Sequence, residues 1–91
     1  MDRTRLCKEH LALAERHVAM ARCNVDHQRG VVAALTKDGH RTDTAAALLA
    51  LYERLLGLHL QDRRRLKGQL AALRQPASRR LSSGWSRDTQ R

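Results

Sequence analysis

A chain of 91 residues has room for one small domain, which buries only a modest share of its surface, so a second domain is excluded. Trp85 and Tyr52 are its only aromatics, there is a single proline, and Leu, Ala and Arg dominate, a composition that argues for long helices and against sheets. Lys and Arg number 18 against 9 Asp and Glu, and the formal net charge of +9 keeps polyanions among the conceivable partners.

The opening MDRTRLCKEH has no apolar run of signal-peptide length. No later segment approaches the roughly 18 apolar residues that would span a bilayer. A cytoplasmic protein with reduced thiols and no membrane partner is the expected class.

From Arg5 to Thr36 the apolar residues recur every seven positions. Leu11, Val18, Val25 and Val32 make one row, and Ala14, Ala21, Gln28 and Leu35 make a second row three residues behind it. These are the a and d positions of a heptad, the narrow stripe by which one helix packs on another. Gly30 costs such a helix about 1 kcal/mol relative to Ala, but the rhythm continues through Val31, Val32 and Leu35, so one helix is expected over about 4–37. Cys7 and Cys23 lie on it sixteen residues apart, which at ~1.5 Å per residue separates them by about 24 Å and rules out a disulfide between them within one chain.

The stretch TKDGHRTD, residues 36–43, holds two aspartates, a histidine and a glycine. Its spacing suits a connector: Gly39 can take the left-handed conformation that ends a helix, Thr42 can cap the next one, and Asp43 suits its positive end. A connector of 38–42 is short enough to fold the second helix back antiparallel on the first.

That second helix is expected over about 43–75. Leu49, Tyr52, Leu56, His59, Arg63, Leu66, Leu70 and Leu73 recur at spacings of three and four, and Leu48, Leu51, Leu55 and Leu58 widen the stripe over its first half. A stripe of that width covers more than one neighbour, and apolar surface left over marks association. After Gln75 the sequence turns to PASRRLSSGWSRDTQR, rich in Ser and Arg and without periodicity, read as a disordered basic tail over 76–91.

Little in this sequence carries chemistry. Cys7 with His10, and Cys23 with His27, stand at i,i+3 and i,i+4, but the pairs occupy different faces and distant turns, so a metal site within one chain is not expected. The serines all fall in the tail, no phosphate-binding glycine loop occurs, and the cysteines have no setting that would present a thiolate. No catalytic residue, cofactor or small-molecule substrate is therefore assigned. His59 interrupts an apolar face, as a pH-sensitive or ligand-binding group or as a core histidine bonded to Gln28 or another polar residue. The positive charge is densest at Arg63, Arg64, Arg65 and Lys67, and Arg79 and Arg80 follow in the tail. These could contact phosphates or form a solvated basic face. There is no helix-turn-helix spacing, stacking aromatic set or zinc module to sharpen the first option.

The segment Ala14–Leu70 resembles a group of small uncharacterised proteins from soil and plant-associated alphaproteobacteria. The likeness rests on Glu15 to His17, on the connection from Leu35 through Asp38, Gly39 and His40 to Thr42, on Leu48 to Glu53, and on the LHLQDRRRL that follows. It implies a bacterial helical hairpin and brings no catalytic residue across.

The expected fold is all-α: a long, coiled-coil-like antiparallel hairpin that dimerises into a four-helix bundle. Leu48, Leu49, Tyr52, Leu55, Leu56 and Leu66 would face Leu11, Val18, Val25, Val32 and Leu35 within and between chains. The expected role is interaction, as a small scaffold or accessory subunit, with nucleic-acid binding as the alternative.

Overall fold

A computed structural model describes residues 2–75 of the chain. Two helices take up nearly all of them, α1 (Arg3–Lys37) and α2 (Asp43–Leu73), and no strand occurs among the described residues. Both lie within two residues of the expected ranges. The basic tail, with Arg79 and Arg80, lies outside the described residues.

The start of α1 is fixed by Asp2. Its carboxylate accepts a hydrogen bond from the Thr4 amide at 3.0 Å and its carbonyl accepts from the Leu6 amide at 3.1 Å, so the helix begins with an N-cap that the heptad pattern alone does not reveal. At the other end the chain closes in a complete Schellman motif. Gly39 has φ 76°, its amide donates to the Thr36 carbonyl at 3.1 Å, and the His40 amide reaches back to the Leu35 carbonyl at 2.9 Å. Thr42 stands at the N-cap of α2 as expected, but its side chain makes no capping hydrogen bond. Its backbone φ of −116° with ψ of 3° departs from the extended geometry that aims a cap hydroxyl at the first amides, and only its carbonyl is engaged, by the Ala46 amide at 2.7 Å.

The helices run antiparallel in a single register. Near the open end the Cys7 thiol donates to the Leu66 carbonyl at 3.6 Å, and near the connector Gln28 Nε2 donates to the Ala45 carbonyl at 3.0 Å. Residues 7 to 28 thus pair with residues 66 to 45, three heptads on each side. In α2 the a positions are 49, 56, 63 and 70 and the d positions 52, 59, 66 and 73.

The core follows that seam. Cys7, Ala14, Val18, Ala21, Val25, Gln28, Leu66 and Leu70 are buried, and every one of them is an a or d residue. Small alanines at d let the helices approach. The core is thin: no large side chain among the described residues is fully enclosed. Two helices have only one line of contact, so most of each stays open to whatever lies beside it.

Candidate interaction face

The residues expected to pack divide cleanly in two. Val18, Val25 and Leu66 are buried in the seam, and Leu11, Val32, Leu35, Leu49, Tyr52 and Leu56 are half-buried along it. Leu48 and Leu55 are exposed, at 37% and 39% of their surface, together with Leu51 and Leu58.

These four leucines share one flank. Around a helix the g and c positions follow one another on the d side of the seam, and e and b on the a side. Leu48 and Leu55 are g, and Leu51 and Leu58 are c. The first helix has a matching row that the sequence reading missed: Leu6, Leu13 and Met20, also exposed, all stand at c. Their exact seven-residue spacing was the available signal.

Antiparallel pairing sets g beside g, so the two flanks join on one side of the hairpin. The shallow grooves between the helices show this directly. One near the middle is lined by His17, Met20 and Asn24 with Tyr52, Leu55 and His59. Others pair His10 and Leu13 with Asp62 and Arg65, and Leu6 with Gln69 and Ala72. Thus all seven exposed large apolar side chains among the described residues lie on a single face.

The opposite side is polar. Glu15 and Arg29, both at e, bridge across the seam to Arg63 at 3.1 Å and Glu53 at 3.4 Å. Arg5, Lys8, Arg22, Asp26, Arg64 and Lys67 occupy other e and b positions. Between residues 6 and 34 of α1, and 44 and 58 of α2, no c or g position holds Asp, Glu, Lys or Arg.

Histidines gather on the apolar face. His10 and His17 are at g, His27 at c and His59 at d. The half-buried rings of His17 and His59 lie side by side, with centroids 5.2 Å apart and planes tilted by 49°. The suggested bond from Gln28 to His59 is not formed. The antiparallel register puts Gln28 about four turns away, opposite Ala45, where it bonds instead.

The basic cluster does not form one surface. Arg63 at a is tied to Glu15, Arg65 at c is tied to Asp62 at 2.6 Å, and the exposed Arg64 and Lys67 point to the b and e side. The thiols are also apart, Cys7 buried in the seam and Cys23 exposed. Among the described residues no three His, Cys, Asp or Glu side chains come together as a metal site, and no helix is long and apolar enough to cross a membrane. In comparison with known proteins, the chain matches no family model, no curated protein and no solved structure.

Proposed function

We propose that this protein is a helical interaction module, a small scaffold or accessory subunit that works by packing its apolar c and g face against other helices. The observation that carries this reading is the segregation of every exposed large apolar side chain among the described residues onto one face. Over the stretch those side chains occupy, its charges are confined to the Asp62 and Arg65 pair near the open end, with the cross-seam ion pairs on the other face. A monomer scatters exposed leucines singly, and a contiguous patch marks an association site. The thin core supports the same conclusion, because two helices alone leave that patch in water.

The test is capture with a tagged chain, wild type against a Leu51→Glu, Leu58→Glu double variant, each with and without nuclease. Both leucines are about half exposed, so the hairpin should keep its helicity in the variant. The interaction reading predicts that bound proteins are lost with the substitutions and indifferent to nuclease. Binding that survives the substitutions but disappears with nuclease, and weakens steeply with salt, would replace it with the nucleic-acid alternative.

A further inference from the structure

We propose that the occupant of the apolar face is a second copy of this chain, and that the pairing is gated by pH through the histidines on that face. The inference rests on the interaction reading above and names its partner.

Area comes first. On the scale of α1, the exposed apolar side chains run from Leu6 to the level of Val25, where Leu48 stands opposite. That is about 30 Å of helix by about 20 Å across two helices, near 600 Å² a copy and about 1,200 Å² between two, within the range of stable interfaces.

Charge selects the partner. The chain as a whole is strongly basic and would repel itself through most of its surface, yet this strip carries no net charge, its Asp62 and Arg65 being paired with each other at 2.6 Å, and it meets its own image without net repulsion. A charged partner would find no complement there. His17 and His59 lie close to the strip's midpoint along the axis, so a two-fold axis there brings the two copies' histidines together. Four helices then enclose the surface that two leave open.

The same histidines give the pairing a sign. From α1 the titratable group facing the His17 and His59 pair is His10, and from α2 they are Tyr52 and Asp62, whose carboxylate is already held by Arg65. The Glu15 and Arg63 pair borders the seam from the far side and is internally neutral. A second copy would bring the same groups and no free acid. A proton taken up on this face is therefore solvated in the single chain and uncompensated in the pair, so pairing is complete above the histidine range and lost as pH falls through it. If each chain must give up one such proton, two per dimer, the dissociation constant rises by at most about 100-fold for each pH unit of acidification.

Sedimentation equilibrium of the purified full chain at micromolar concentration tests this, with helicity followed by circular dichroism. The expected result is twice the 10.3 kDa chain mass at pH 7.5 and dissociation at pH 5.5. Leu55→Arg and, separately, the more exposed Met20→Arg should give helical monomers, Ala50→Arg on the opposite face should remain paired, and His17→Gln with His59→Gln should pair at both pH values. Equal association at both pH values in the wild type would overturn the histidine gate. A chain that stays at 10.3 kDa throughout, while Leu51→Glu with Leu58→Glu still abolishes capture of other proteins, would overturn the second copy and leave the interaction reading standing.

Discussion

Replacing each described glycine by alanine should change stability with opposite signs at different positions, and the backbone says which. Gly39 has φ 76°, while Gly30, Gly57 and Gly68 lie inside helices with ordinary negative φ. A Cβ built at any of the four meets nothing within 4 Å, so steric contact cannot decide the outcome. At Gly39 an alanine accepts the left-handed conformation at about 1–2 kcal/mol, partly offset by about 0.4–1 kcal/mol from stiffening the unfolded chain. The net loss is about 1 kcal/mol. At the three helical positions the same change should stabilise by roughly 0.5–1 kcal/mol each, because glycine gives up more freedom than alanine on entering a helix. For a domain of this size 1 kcal/mol moves the melting temperature by about 4–8 °C, which thermal unfolding followed at 222 nm resolves readily. All variants must be compared at one chain concentration, since association would add to apparent stability. Thr42→Ala is the internal control and should cost less than about 0.5 kcal/mol, because its side chain forms no cap bond. A Gly39→Ala variant as stable as the parent would refute the Schellman closure, and a large loss from Thr42→Ala would restore the cap that the geometry denies.

Two further outcomes follow from the seam. Leu66→Ala removes a side chain that is 4% exposed and packed with Cys7, Ala14 and Leu70, and should cost about 2–3 kcal/mol by urea denaturation; a loss below 1 kcal/mol would mean that the open end of the hairpin is not packed as described. Gln28→Ala loses both volume and the bond to the Ala45 carbonyl and should cost about 1–2 kcal/mol, whereas Gln28→Leu keeps the volume and should cost under about 1 kcal/mol. Equal losses from the two would show that the hydrogen bond, and not the packing, holds the connector end together.

The hairpin was legible because its determinants are local. Seven-residue spacing from Leu11 to Leu35 places the a and d rows, and both rows are buried or half-buried throughout. Gly39 was legible for the same reason, since only the four residues before it and one after are needed to close the Schellman bonds. Thr42 failed because residue type alone does not determine the backbone angles that aim a cap. Gln28 failed differently: a connector of 38–42 already sets position 28 opposite the first turns of α2, so a bond to His59 asked for a register that the hairpin does not allow. The Arg63 to Lys67 run reads as one basic patch in sequence, but at 100° per residue a helix sends consecutive residues to different sides, and two of the four arginines and lysines meet carboxylates there.

The apolar face shows where a reading along the chain reaches its end. On α2 alone, Leu48, Leu51, Leu55 and Leu58 look like a wide stripe, and on α1 alone, Leu6, Leu13 and Met20 look like single exposed residues of no consequence. Each row becomes meaningful only beside the other, and that depends on chain direction. Parallel helices would have set g against e and put the two rows on opposite sides of the pair, where neither is large enough to hold a partner. The short connector forces the antiparallel arrangement, which sets g beside g and joins the rows. The same turn that satisfies the last carbonyls of α1 therefore also decides that the protein has one apolar side instead of two half-sized ones. It places the paired His17 and His59 at the middle of that side and leaves the Glu15 to Arg63 and Arg29 to Glu53 bridges on the other. Lengthening the connector should thus be tolerated only while it preserves that direction, since the face is a property of the pairing and of neither helix by itself.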